Sequence, residues 1–440
     1  MISESASSAS PTLLTAAAGD NDIVTQIDQG WGAGPSARYE QIAARFRPLF
    51  KSVRATAVAR DNDHHLPVDE IKSLKQAGFS KLRLPLERGG LGITLPEFYA
   101  LLIELSEADP NITNAFRSHF GFSEDILNAP SSPKRTAWLD RIANGETIGS
   151  GFSETGDAKA SAASTRLSRS GDHWILNGRK YYTSGSLYAD WINLGATDDE
   201  GKPIGALVPT RAEGVEILDD WDGFGQTLSA SGTAIFTNVV IPDDLINPVQ
   251  TRFRYSNGFF QTVHLATLAG IGRAAANDVS RLVAERRRIY TNGNATRVAE
   301  DPQVLQVVGK VRAAAYGAGA IALKTAEALQ RVHDADRAGD AQAADAANIA
   351  ADIEVSQAVT VISNLVLDAT TILFDALGAS AAKRTNVLDR HWRNARTIAS
   401  HNPRIYRERA VGDFSVNGTK PAVLHRAGLP DSPDATKAHA

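Results

Sequence analysis

The hydrophobic period changes twice along the chain. From about Ser36 to Leu139 apolar residues recur at helical spacing. Pro67, followed by Val68-Asp69-Glu70, opens one helix, because proline suits the first turn and acids favour its positive end. Gly78 closes it. Leu82-Arg83-Leu84-Pro85 and Gly89-Gly90-Leu91-Gly92 form a turn-rich segment. A second helix runs from about Pro96 to Ala108, with Phe98, Leu101, Leu102 and Leu105 on one face.

Between about Thr147 and Ile241 the period becomes that of strands. Trp174-Ile175-Leu176 followed by Asn177-Gly178 reads as a hairpin. Trp191–Leu194, Ile204–Val208 and Ala234–Phe236 also read as strands. After Pro242 helices return and are long. Val304, Val311, Ala315, Ala322 and Leu329 form one stripe, and Ile349, Ile353, Ile362, Val366 and Ala376 another. They flank Asp334–Ala344, which predicts an antiparallel bundle. The expected organisation is α+β: a tail over 1–35, a helical domain over 36–146, a β-barrel-like domain over 147–250, a four-helix bundle over 251–426 and a second tail over 427–440.

Composition narrows the chemistry. A chain of 440 residues exceeds one simple core. A formal charge of −4 gives no basic excess, so nucleic acid is not an expected partner. No run approaches the ~18 apolar residues of a membrane span. Met1-Ile2-Ser3-Glu4 does not open a secretory signal, so the expected location is cytoplasmic. The absence of cysteine removes disulfides, thiolate zinc sites, iron–sulfur clusters and thiol nucleophiles. The adjacent His64-His65 is a poor chelate, and no metal is expected. No Gly-x-Gly-x-x-Gly follows a strand, so no nicotinamide site is read.

Several strings, in order, resemble the acyl-CoA dehydrogenase superfamily. They are Leu84-Pro85 with Glu87–Gly92, Ser153-Glu154-Thr155-Gly156, Asn177–Ser184 ending in Ala189-Asp190, Arg287 with Tyr290, and Arg390–Arg396. The departures point to a branch. Many of these dehydrogenases carry a glutamate base six residues beyond the last arginine of that helix, and here the position is Asn402. Thr251 to Ala284, where other members place the base, contains no glutamate. Losing a general base costs typically ~10²–10⁴-fold in rate. In its place stand Ser400-His401-Asn402-Pro403 and, earlier, Arg117-Ser118-His119-Phe120-Gly121-Phe122, which resemble the dibenzothiophene and dimethyl sulfone monooxygenases.

That resemblance implies a two-component enzyme of sulfur metabolism. Reduced FMN (FAD being the alternative) comes from a separate NAD(P)H-dependent flavin reductase, and O₂ is held as a C4a-hydroperoxide that oxygenates a small organosulfur substrate. It implies a homotetramer. Alternatives on the same fold are hydroxylation of an aromatic carbon or amine nitrogen, acyl-CoA dehydrogenation, and non-catalytic flavin binding. His401 and His119 are the expected catalytic histidines, with His401 donating a hydrogen bond and then a proton. Ser184 is expected at the flavin edge with Tyr182 and Thr183, and Ser150 and Ser153 nearby. Arg287 and Ser380 are expected at the flavin phosphate. His391 and Trp392 read as packing.

Overall fold

A computed structural model describes residues 30–155, 163–248 and 252–421. Apart from 30–35, the expected tails lie outside the described residues. Among the described residues five helices come first: α1 (Ala37–Asp63), α2 (Val68–Gln76), α3 (Leu95–Ala108), α4 (Pro110–Asn128) and α5 (Pro133–Ala143). Gly78 follows α2 with φ +87°, the left-handed turn that glycine tolerates. Thr94 and Glu97 form a capping box that starts α3 one residue before the proline read as its opening. The side chain of Asp109 caps α4.

Eight strands follow: β1 (Ile148–Gly151), β2 (Arg166–Ser170), β3 (His173–Lys180), β4 (Trp191–Thr197), β5 (Pro203–Pro209), β6 (Val215–Ile217), β7 (Ala234–Pro242) and β8 (Ile246–Pro248). Their order is β6-β7-β3-β2-β4-β5-β8, with β1 pairing in parallel along β4. The hairpin expected at Asn177-Gly178 is not there. The turn falls at Gly171-Asp172, and Ser170 pairs with His173. Gly178 instead sits in a bulge within β3, at φ +147°, where a Cβ would come 2.6 Å from Cα of Thr165. Asn177 exchanges hydrogen bonds with Asn238 on β7. Pairing on both sides of β3 outweighs the local turn preference.

The remaining helices are α6 (Ser256–Glu285), α7 (Pro302–Arg337), α8 (Ala341–Ile372), α9 (Asp389–Ala399) and α10 (Ile405–Asn417). Only Ala338–Asp340 separates α7 from α8, so these two run antiparallel. Ala315, Ala318 and Ala322 are buried on α7, where small side chains allow close packing. Among the described residues, α8 with its short extension is the helix long and apolar enough to cross a membrane; here Ile362 and Val366 are buried in the bundle.

One core joins the N-terminal helices to α6, α7 and α8. A second fills the sheet and packs on Trp138 of α5. At Gly121 α4 approaches α6 so closely that a Cβ would lie 2.1 Å from Cζ of Phe260.

The end of β3 is tied to the loop after β1. Lys180, with no exposed surface, places Nζ 2.6 Å from Oε1 of Glu154. Glu154 also accepts from the backbone and hydroxyl of Ser164 and of Thr165. Burial alone would raise its pKa, but these donors outweigh it and hold the carboxyl at about 2. A folded-state pKa below the unfolded one stabilises the fold above the ordinary carboxyl range, and that contribution is lost as pH falls toward 2. Lys180→Met leaves an enclosed carboxylate without its cation and should cost about 3–5 kcal/mol in urea unfolding at pH 7. Lys180→Met/Glu154→Gln should lack the acid-dependent step. A Lys180→Met loss below about 1 kcal/mol would contradict this role for the pair.

Candidate active site

Helix α4 is the rod against which the site is built. Asn111, near its start, accepts from the backbone of Leu228 at 3.2 Å. Gly185 lies against the helix at Ala115, where a Cβ would meet the carbonyl oxygen at 2.1 Å. Nearly two turns further along, Gly121 admits Phe260. Two loops of the β-domain and helix α6 are thus set around one helix.

The first loop carries Tyr182, Thr183 and Ser184. Tyr182 adopts φ +59° and is 49 % exposed. Left-handed backbone is costly for an aromatic residue, so the loop is held there by its neighbours. One of them is Thr183, fully buried, whose hydroxyl donates to the carbonyl of Gly232 at 2.8 Å. That side chain is committed to the protein. The hydroxyl of Ser184 is partly open and lies 2.7 Å from that of Ser231. Ser231 continues to Ser229 at 2.8 Å, and Ser229 donates to the carbonyl of Gln226 at 2.7 Å.

The second loop centres on Gln226. Its backbone is left-handed at φ +55°, and its N–H donates to Oδ1 of Asn394 on α9 at 2.6 Å. Tyr188 donates to the carbonyl of Leu228 at 2.7 Å. The side-chain amide of Gln226 is enclosed, with neither end bonded among the described residues. An unmade buried hydrogen bond costs about 1–3 kcal/mol, so an amide held in this way is a group awaiting a partner.

The third wall comes from α4, α6 and the end of α9. Nε of Arg117 donates to the carbonyl of Phe260 at 3.2 Å, and its guanidinium lies 4.8 Å from the Phe260 ring centre. The rings of His264, on α6, and His401, just past α9, are 4.3 Å apart. His401 is exposed, with the His264 ring packed beside it. Burial and then the charge of Arg117 push its pKa down to about 3, against a hydrogen bond with Asn402 that raises it. Burial, Arg117 and His401 drive His264 well below the ordinary range. Nε2 of His264 is enclosed without a partner among the described residues. Both rings are therefore neutral near pH 7. His401 thus offers a ring N–H near pH 7, with burial and then Arg117 disfavouring its charged form.

His119 does not join them. It is buried beside Phe116 and Phe120, with Nε2 2.6 Å from the carbonyl of Ser80 and its pKa pushed by burial to about 4. Two residues along a helix turn through roughly 200°, so Arg117 and His119 face opposite ways. His391 is buried against Asp278 at 2.9 Å, and Trp392 stacks on Phe224. His64 lies 2.9 Å from Asp219. Ser150 lies on β1, its carbonyl accepting from Ser186, and Ser153 is exposed with its carbonyl bonded to Tyr181.

Arg287 and Ser380 come together elsewhere. Arg286 donates to the carbonyl of Leu377, and a Cβ on Gly378 would lie 2.6 Å from the Tyr290 hydroxyl, leaving Arg287 and Ser380 exposed nearby. Arg287 follows the last turn of α6, about 30 Å along that helix from His264.

Sequence reasoning missed His264, Gln226 and the role of Arg117. Thr251–Ala284 was read for a carboxylate base, and a single histidine on an apolar helix reads as core. Arg117 lay inside a quoted string; its helical offset from His119 was the available signal.

The residues suit a flavin ring in chemical type. An unbonded amide at Gln226, a hydroxyl at Ser184 and an exposed aromatic at Tyr182 offer donors, acceptors and a stacking face to a planar heterocycle.

Comparison with known proteins agrees. Models of the N-terminal, middle and C-terminal domains of acyl-CoA dehydrogenase match residues 36–146, 152–239 and 262–403. A dibenzothiophene monooxygenase from Rhodococcus qingshengii is 28 % identical over 395 residues, covering 85 % of this chain and 93 % of its own. A Pseudomonas putida protein named "Probable FMNH2-dependent monooxygenase SfnC" is 25 % identical over 384 residues, covering 86 % and 95 %. The crystal structure of FMN-bound TdsC from Paenibacillus sp. A11-2 superposes with a TM-score of 0.77 at 25 % identity, covering 87 % and 98 %. The chain belongs to the acyl-CoA dehydrogenase family, in the branch occupied by flavin-dependent monooxygenases.

Proposed function

We infer that this enzyme is the oxygenase of a two-component system. It takes reduced FMN from a separate NAD(P)H-dependent reductase and transfers one atom of O₂ to a small substrate, with sulfur of an organosulfur compound as the acceptor. The observation that carries this reading is the pair of neutral imidazoles, His264 and His401, where the dehydrogenases place a carboxylate. Asn402 cannot take a proton from a thioester, but its side chain bonds to His401 and orients that ring.

Reduced FMN, when bound, supplies the electrons that activate O₂. The protein's part is to hold, orient and exclude. Ser184, Tyr182 and Gln226 present polar and aromatic groups to one edge of the ring. Phe260 and the exposed Phe152 form an apolar wall against water. A ring N–H of His401 meets negative charge as it develops; one preorganised donor of this kind is worth roughly 10²–10³ in rate.

Arg287, beyond the far end of α6, and Ser380, in the segment after α8 that meets Arg286, are too distant to reach a flavin mononucleotide held at the His401 of their own chain. Their reading as phosphate ligands therefore requires a neighbouring subunit. Leu305, Tyr316 and Val361, exposed and apolar on α7 and α8, supply surface for such a contact. We assign the assembly as a homotetramer built through the bundle.

Two outcomes follow. His401→Ala should fold and bind reduced FMN normally, while product per NADH falls about 10²–10³-fold and hydrogen peroxide takes its place. Wild-type coupling in that variant would overturn the assignment. Arg287→Ala chains and His401→Ala chains, each impaired alone, should recover coupled turnover when co-expressed, because some shared sites then hold both native residues. No recovery in isolated mixed assemblies would place both residues in one chain's site.

A further inference from the structure

At each end of α4 an enclosed arginine is met by a carboxylate. Arg60 is paired with Asp109 at 2.7 Å, and Arg83 with Glu124 at 2.6 Å. Arg117 is different. Among the described residues no carboxylate pairs with it; its partners are the carbonyl and ring of Phe260. Burial, and then the like charge of Arg252, pull its pKa down to about 9, which still leaves it a cation at pH 7. Arg252 lies 4.9 Å from the same Phe260 ring and 5.5 Å from that of Phe152, with Asp125 at 3.2 Å. Two guanidinium groups thus share one phenyl ring, and the carboxylate of Asp125 pairs with Arg252. Arg117 also keeps some access to solvent, and its terminal nitrogens have no acceptor among the described residues. A guanidinium fork with free nitrogens is shaped for an oxyanion, and the Phe260 and Phe152 faces suit an apolar remainder.

We propose that the substrate is a small organic anion whose oxyacid head, a sulfinate, sulfonate or carboxylate, is held by Arg117 while its apolar part lies along Phe260. The proposal rests on the oxygenase reading and names the substrate class of that site. It also explains why two histidines stand beside an uncompensated cation. An anion on Arg117 offsets the charge that, after burial, is the second cause lowering the His401 pKa.

The test is calorimetric binding of charged and neutral near-isosteres to the full-length protein: methanesulfonate against dimethyl sulfone, and benzenesulfonate against methyl phenyl sulfone. In at least one pair the anion should bind about 10–100-fold tighter than its neutral partner. Arg117→Gln should abolish that preference and Arg117→Lys retain part of it, with melting temperature and reduced-FMN affinity unchanged in both. The proposal is overturned if neither pair shows a preference, if the preference survives Arg117→Gln, or if Arg117→Gln weakens reduced FMN instead. Failure of the oxygenase reading is separate: it appears as anion binding intact with no oxygenated product.

Discussion

The site depends on one unbalanced charge. Enclosing an ion costs several kcal/mol unless a counter-charge meets it. Along α4 the protein meets that requirement at both ends, with Asp109 on Arg60 and Glu124 on Arg83. Between them Arg117 has a carbonyl, worth about 1.5–3 kcal/mol to a charged donor, and a phenyl face, worth up to about 2 kcal/mol. The arrangement persists because α4 and α6 are locked together by core packing that Arg117 does not supply. Gly121 admits Phe260, while Phe98 and Phe120 pack nearby at 4.8 Å between ring centres.

The chemistry follows from that charge. A carboxylate beside Arg117 would be held ionised and would serve as a base toward a carbon acid. The protein instead places two imidazoles there, kept neutral by burial and then by Arg117, and an amide at residue 402. The same helical frame that elsewhere in the family supports proton abstraction here offers a hydrogen-bond donor in a shielded cleft. Family membership describes the frame; these few side chains decide what the frame does.

Much of the fold was legible because it is written in period. The change from helical to alternating spacing near Thr147, the return near Pro242 and the alanine stripe on α7 are local patterns with one physical reading. Asn177-Gly178 misled because a turn preference worth a fraction of a kcal/mol competes with pairing to β2 and β7 on both sides. The site was legible in part. His401 and Ser184 were singled out by their order along the chain, and the structure leaves both at least partly open. His119 and Arg117 are neighbours in sequence, and only the helix's rotation separates a core residue from a cleft residue. His264 and Gln226 owe their importance to partners more than 100 residues away, His401 and Asn394, which no local pattern reports.

The most direct test of the account is rapid mixing of the enzyme carrying reduced FMN with oxygenated buffer, followed by absorbance. The account predicts a transient spectrum belonging to neither reduced nor oxidised flavin, long-lived in the native protein and short-lived in His401→Ala. Direct conversion of the reduced to the oxidised spectrum in the native protein, with one peroxide released per flavin, would contradict it.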